Sequence, residues 1–517
     1  MRNPKIKKIL LFLLGGVVAI WLLSFAADTF LEKKIKDIIA VELPSDLDIG
    51  DYKLSVSTRS GSLFVENASL SAPRASDSIS VFSISKIELN GLSYLSYLFK
   101  NTISFKEVFI QDFHGNLLGE GRFFQKVTAD DNQNIFDNKS LLIKNVRLQN
   151  MNMIVHSETH QQPNLQLENL ELALKNFRVD QKSLPNKIPF DYEHIDLKIA
   201  YMSSIISDYE ILSFENFQLK DRKIALENFT IKTLFEKAEY SKILPNERDH
   251  FDLKIPKVTF ENFDFGNQSE SFFVESDMMV ICEADFKVYR DKLVADDKSI
   301  KPLYSEAIRS LPFYLTVDSL KIHESQIVYQ EKVKDDLPPG EINFTAFNAS
   351  ITNFSNTYLS GEKTTNINVN TIFMGKTPLE VDWVFDVQDT EDTFVFRAQL
   401  QELNAAHISS FSKPSLNVVF EGELHHTFFT IHGNNNDSQI DMRLSFDDFK
   451  VELLGRDQKK KGLLSALANV FVNTSSLTKQ GEYKNVKAHA VRNKDKSVFN
   501  FMWISIEAAL KKALIAI

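Results

Sequence analysis

Cysteine is almost missing from this chain: Cys282 is the only one in 517 residues. That excludes an intramolecular disulfide framework and a multi-cysteine zinc site. Glycine (17) and proline (14) are scarce for the length, which argues against long flexible linkers. A basic footprint is lacking too. The formal net charge is −10 and the lysines and arginines are scattered, which disfavours nucleic acid as a partner.

The signatures of catalysis are equally sparse. Gly375-Lys376-Thr377 lacks the upstream glycine of a phosphate loop, and no G-x-S-x-G elbow occurs. His156 and His160 stand four apart, but the intervening residues are not those of a metalloprotease helix. His425, His426 and His432 flank the segment FFTI with no acidic ligand at diagnostic spacing. Asp46, Asp48, Gly50 and Asp51 resemble the start of a calcium loop, but the glycine comes one place early and Ser57 stands where a bidentate glutamate belongs. Asp447-Asp448 and Asp296-Asp297 read as turn or solvated-face carboxylates. The sequence therefore predicts no catalytic residue, no metal, no cofactor and no enzyme.

What the chain does have is apolar surface. Hydrophobic residues make up 43 %, with 42 phenylalanines, enough for a sizeable core. Arg2, Lys5, Lys7 and Lys8 precede an uncharged run over residues 9–27 that includes Ile9, Leu14, Trp21 and Phe25. At a helical rise this run spans roughly 28 Å, the thickness of a bilayer core. Two readings are open. A cleaved leader would use Ser24 and Ala26 as its small residues. A retained anchor fits the length of the run and the helical spacing of Phe30, Leu31, Ile35, Ile38 and Ile39 beyond it. The second is the expectation: residues 1–8 cytoplasmic, 9–27 a transmembrane anchor and 28–43 a linker helix, with the bulk exported.

Residues 44–455 alternate apolar and polar positions, as in strands wet on one face. Within them a spacing recurs. Apolar residues fall at offsets 0, 2, 5, 7 and 10, as in Phe82, Ile84, Ile87, Leu89 and Leu92, or Leu253, Ile255, Val258, Phe260 and Phe263. A polar residue, often asparagine (Asn90, Asn150, Asn262), tends to come after the fourth position. Alternation that skips one residue keeps the same face inward through a bulge or bend. The expected fold is mainly β, an elongated, curved antiparallel sheet with an apolar inner face. Candidate residues for that face are Phe105, Ile110, Leu167, Leu172, Ile255, Phe260, Phe263, Phe265, Ile322, Phe344 and Phe347. Residues 301–312 read as a short helix ended before Pro312. Residues 456–517 read as a C-terminal helical cap, with Phe499, Met502, Trp503, Ile506, Leu510, Ala513 and Leu514 on the apolar side of a terminal helix.

This layout resembles the AsmA-like family of bacterial envelope proteins, in particular its DUF748-type relatives. The resemblance rests on the N-terminal anchor, the blocks SISKIELNGLSYLSYLFKNTISFKEVFIQDF (83–113), LPFYLTVDSLKIHESQIVYQEK (311–332) and GEINFTAFNASITN (340–353), the segments between 420 and 454, and the terminal region 462–517. It implies a β-taco-like groove held at the bacterial inner membrane by a single span, with the bulk in the periplasm. The implied partners are membrane lipids, phospholipid or lipopolysaccharide-like, together with envelope proteins. The implied work is lipid binding or transfer in outer-membrane biogenesis and lipid homeostasis. The alternative is a structural or assembly factor with a closed β core. The family supplies no catalytic residue.

Overall fold

The computed structural model describes residues 24–41, 48–73, 79–118, 140–156, 162–184, 186–268, 271–454 and 483–514. Strands take 60 % of the described residues and helices 16 %, so the protein is mainly β. The anchor positions Ile9, Leu14 and Trp21 lie outside the described residues. Phe25 falls in α1, a helix over 24–41 that begins before the expected linker helix does. Among the described residues no helix is long and apolar enough to cross a membrane.

The chain divides into two compact units, one made of residues 1–205 and 213–221, the other of 206–212 and 222–517. In the first, β1 (Asp48–Ile49) and β2 (Lys53–Ser57) both pair with β3 (Ser62–Pro73). Then come β4 (Ile79–Asn90), β5 (Thr102–Leu118), β6 (Ser140–His156), β7 (Leu165–Val179) and β8 (His194–Ile205), each beside the one before. The division falls within β9 (Glu210–Lys220).

In the second unit β10 (Lys223–Thr233) pairs with β11 (His250–Glu261). Next to β11 lie β13 (Ser271–Cys282) and β14 (Asp285–Asp291), two halves of one interrupted strand, with β12 (Asp264–Gln268) on β13. Both halves pair with β15 (Tyr314–Lys332). From there β16 (Gly340–Ser355), β17 (Thr365–Phe373), β18 (Thr377–Phe385), β19 (Phe394–Asn404), β20 (Val418–Gly433), β21 (Asp437–Leu453) and β22 (Lys484–Val491) succeed one another as antiparallel neighbours.

The expectation of an antiparallel sheet is corrected here. Pairing is mixed, because β5–β6, β13–β15 and β14–β15 run parallel. Parallel neighbours need a long crossover rather than a hairpin. The connections at hand are 119–139 and the stretch after β14 that carries α4.

Helices are more numerous than the sequence pattern suggests. α2 (Tyr94–Phe99) interrupts what reads as continuous strand, because a short apolar run fits either state. Ser93 starts it, its hydroxyl accepting from Ser96 N at 3.2 Å. α3 (Lys237–Ile243) joins β10 to β11, and helical turns over 405–416 join β19 to β20. The expected helix within 301–312 is present as α4 (Tyr304–Arg309). The terminal helix is present over Val498–Leu514, here α5. Its buried side overlaps the expected one at Met502 and Ala513 but is turned from it at Phe499 and Trp503. Val498, Phe501, Met502, Ser505, Ala509 and Ala513 are buried, whereas Phe499 is 63 % exposed and Trp503 lies at the surface. Packing against β21 and β22 selects small residues at Ser505, Ala509 and Ala513, which let the helix approach the sheet closely. In the expected cap region, residues 456–482 lie outside the described residues and β22 is strand.

The largest core joins α4 and α5 to β18–β22. Ile431, Ile440, Leu444 and Phe446 are fully shielded in it, with Trp383, Phe385, Phe394 and Phe501 around them. A second, small cluster centres on Ile255, Val258 and Ala284.

Candidate apolar binding face

Alternation along each strand, multiplied by register, produces apolar rows that run across the strands. In the second unit one row passes through Ile224, Phe260, Met279, Leu320, Ile351, Ile367, Trp383, Phe396, Ile431, Ile440 and Ala488. The next row on the same face passes through Leu226, Val258, Ile281, Ile322, Ala349, Val369, Val381, Ala398, Phe429, Met442 and Val486. No polar residue breaks either. A third row, Ile231, Leu253, Phe286, Ile327, Phe344 and Phe373, covers β10 to β17.

The first unit repeats the arrangement. Ile87, Ile110, Leu148, Leu172 and Leu197 form one row, and Leu89, Val108, Val146, Leu174 and Ile195 the next. Phe105 stands beside Ile143, which stands beside Phe177. Leu167 sits between Met153 and Met202. Ile84, Ile110, Phe113, Leu148, Gln149 and Met151 line a hollow of about 210 Å³ in this face.

Of the sequence candidates, Ile110, Leu172, Phe260, Ile322 and Phe344 stand on these rows and Phe105 and Leu167 in the shorter pairings, whereas Ile255, Phe263, Phe265 and Phe347 stand off them. Phe105, Ile110, Leu167 and Leu172 belong to the first unit; Ile255, Phe260, Phe263, Phe265, Ile322, Phe344 and Phe347 belong to the second. Phe260, Phe263 and Phe265 make consecutive ring contacts, with centroids 5.5 and 5.6 Å apart. Of the eleven, only Ile255 is buried; the others are half-buried. That state is costly for aromatic and branched side chains unless something apolar covers them, since apolar area left in water forfeits about 25 cal/mol per Å².

What keeps one face apolar through the skipped positions is a set of left-handed residues. In the first unit Asn67, Asp112, Asn150 and Asn169 have φ between 48° and 54°. Register sets Asp112 beside Asn150, and both Asn67 and Asp112 flank Ser85. Their side chains join in a ladder: Asn150 Nδ2 donates to Asp112 Oδ1 at 2.7 Å, Asn152 Nδ2 to Asn150 Oδ1 at 2.9 Å, and Asn169 N to Asn152 Oδ1 at 2.9 Å. In the second unit Asn228, Glu283, Glu324 and Ala346 have φ between 45° and 57°. Buried Ser325 accepts from Ala284 N at 2.9 Å, and Asn348 Oδ1 accepts from Glu324 N at 3.1 Å. Asparagine and aspartate tolerate this conformation because their short polar side chains bond locally. Asn150 and Asn262, singled out by the spacing, are left-handed; Asn90 is ordinary strand.

Polar groups on the two faces are arranged differently. On the apolar side, burial pushes the Tyr329 hydroxyl well above its ordinary 10.0, and it donates to Glu331 Oε2 at 2.8 Å. The opposite parity carries ion pairs such as Lys223–Glu261 (2.7 Å), Arg397–Asp382 (2.8 Å) and Lys487–Asp441 (3.2 Å). A hollow of about 930 Å³ on β17–β22 includes Asp382, Arg397, Asp441, Arg443 and Lys487 in its lining.

Among the described residues no group of three His, Cys, Asp or Glu could hold a metal ion. His156 ends β6, and His425, His426 and His432 lie within β20, where His425 Nε2 is 3.0 Å from Asp447 Oδ2. The chemistry on offer is apolar area at a bent sheet face. Sequence reasoning missed the side-chain ladder at the bends, whose signal was the asparagine or aspartate at the skipped positions of the first unit. No protein-family model matches the chain, and no curated protein matches it.

Proposed function

We propose that this protein is an AsmA-like (DUF748-type) envelope protein, held at the bacterial inner membrane by residues 9–27, whose apolar faces form curved grooves that bind or transfer lipid acyl chains. The observation that carries the reading is the continuation of the apolar rows beyond the strands that α4 and α5 cover. From Phe260 to Ile367 the row keeps its chemistry while its side chains stay half-buried. Acyl chains suit such a surface. Each methylene buried is worth about 0.8 kcal/mol, so length alone supplies affinity without directed polar contacts. Ring contacts among Phe260, Phe263 and Phe265 supply a rigid wall.

A photo-crosslinking residue at Phe260, Phe265 or Phe344 tests this in cells, with Glu261 as the outward comparison. Lipid adducts at the first three and none at Glu261 are expected. Equal behaviour at all four overturns the reading.

One observation favours the second reading, a non-enzymatic structural or assembly factor of the envelope. The β18–β22 core is closed, with Ile431, Ile440 and Phe446 wholly shielded. Protein-only crosslinks at Phe260 and Phe344 are its expected signature.

A further inference from the structure

α2 buries none of its residues, although its sequence is YLSYLF. Leu95, Leu98 and Phe99 are 71, 67 and 79 % exposed. Three large apolar side chains on one six-residue helix form a patch, not scattered surface hydrophobics.

Its place in the first unit says what covers it. The tip of the β2–β3 hairpin holds α2 and the start of α1 together. Tyr94 Oη donates to Thr58 O at 2.9 Å, and Leu92 N to Gly61 O at 2.9 Å. On the other side of the same tip, Thr58 N donates to Asp28 Oδ1 at 2.6 Å, and Thr58 Oγ1 lies 3.1 Å from Ser24 Oγ. Val56 N donates to Glu32 Oε1 at 3.0 Å. Ser24 belongs to the uncharged apolar run that ends at Ala27. An exposed apolar helix is thus pinned, through one threonine, to the end of a segment long enough to cross a bilayer.

We infer that α2 is an interfacial membrane contact, set in the headgroup–acyl boundary of the bilayer that residues 9–27 cross, with Leu95, Leu98 and Phe99 among phospholipid acyl chains. The inference rests on the anchor reading of that run. Tyrosines belong at this depth, with the ring in the apolar layer and the hydroxyl near water. Exposed Arg59, next to Thr58, and exposed Lys100, directly after α2, supply the positive charge that anionic headgroups attract. The contact would orient the first unit on the membrane, where a single span leaves rotation free.

The test uses the full chain in vesicles of phosphatidylethanolamine and phosphatidylglycerol. With Cys282→Ser removing the one native thiol, Leu98→Cys carries an environment-sensitive fluorophore, and Glu261→Cys carries it as the comparison. Both positions tolerate labelling because they are exposed or on the polar face. Shallow spin-labelled lipids are expected to quench the Leu98→Cys probe at least threefold more than the Glu261→Cys probe. Equal quenching, in protein that resists carbonate extraction, overturns the inference and leaves the anchor standing. A Leu98→Cys probe shielded from both lipid quencher and iodide also overturns it, pointing to a protein on α2. If carbonate strips the protein, the anchor reading fails. The variant Leu95→Glu/Leu98→Glu/Phe99→Glu then decides separately. A tenfold loss of vesicle binding sustains α2 as a lipid contact, and unchanged binding overturns it.

Discussion

Two stretches of the second unit carry the same pattern and meet different fates. Over β10–β16 and over β18–β22, strands alternate, registers align and apolar rows run unbroken. On β18–β22 those rows meet α5 and α4, and Trp383, Ile431 and Ile440 are buried. On β11–β16 the same row reaches Phe260, Met279, Leu320 and Ile351, which remain half-buried. Composition is not the cause, since both stretches offer Phe, Ile and Leu. The difference lies in the order of elements along the chain. α5 comes after β22 and folds back over the strands nearest it, and among the described residues no helix of its length lies in β10–β16. A sheet needs a second layer, and here one layer serves only the end it is attached to.

The largest expected effects measure this contrast. Phe501→Ala, removing a shielded ring that stands 6.1 Å from Phe394, is expected to cost about 3–5 kcal/mol. Phe344→Ala, on the uncovered rows, is expected to cost about 1–2 kcal/mol, because much of its area is wet in the folded state as well. Urea denaturation of the purified protein without lipid reads both. Equal costs would mean that β10–β16 has a cover of its own.

A second break targets the tie that holds α4 in place. Asp392, its carboxylate 2 % exposed, accepts from Arg309 Nη2 at 2.9 Å and from Ser305 Oγ at 2.8 Å. Arg309 also donates to Asp389 O at 2.9 Å. Asp392→Ala leaves a largely buried guanidinium without its counter-charge, and about 3 kcal/mol of stability is expected to go. Faster hydrogen exchange should then appear in α4 and β18–β19, with β10–β15 unchanged.

Much of this was readable in the residues. The mainly-β class, the helix within 301–312 and the terminal helix emerge from periodicity alone. The skipped spacing announced the bends, and the asparagines at Asn150 and Asn262 named two of the left-handed positions. Parallel pairing was not readable, because a strand's alternation is the same whichever way its neighbour runs. α2 was missed because a six-residue, mostly apolar stretch is too short to show a period, and Ser93 after Gly91 was the signal that a helix begins. The buried side of α5 was partly misplaced: Met502 and Ala513 are buried as expected, but Phe499 and Trp503 are as apolar as Phe501, which was left off that side. Only close approach to β21 and β22 selects the side with Ser505, Ala509 and Ala513. For the candidate face, sequence found the rows and could not say which strands would be covered.

The bends themselves are open to a finer test. Asn150→Ala loses both the tolerance for φ 54° and the hydrogen bond to Asp112, and is expected to cost about 1–2 kcal/mol. Asn150→Gly should cost less, since glycine keeps the conformation. Ala346, at φ 45° on exposed backbone of β16, inverts the expectation. Ala346→Gly relieves the strain and should stabilise by up to about 1 kcal/mol. If Ala346→Gly destabilises instead, the left-handed position is not what shapes the β15–β17 bend.

The smallest effect is local and acts through pH on the cover alone. Lys496, two residues before α5, is held by Glu247 Oε1 at 3.3 Å and by Asp296 Oδ1 at 3.3 Å. Hydrogen bonds from Lys298 and then Lys496 hold the Asp296 carboxyl below its ordinary 3.8. A carboxyl depressed in this way stabilises the folded state fully above its unfolded value, and that contribution is lost as pH falls through the folded one. The window is therefore below about pH 3.8 and opens from the acid side only. Since Asp296 is solvent-exposed, screening keeps the global effect small, and the readout has to be local. Amide exchange at the first turns of α5 is expected to quicken as pH falls below about 3.8, beyond the change in intrinsic rate, while β10–β15 keeps its protection. Asp296→Asn should produce the same quickening at neutral pH and remove the pH step. If β10–β15 loses protection together with α5, then the covered and uncovered stretches open as one, and the contrast drawn from their burial does not extend to their dynamics.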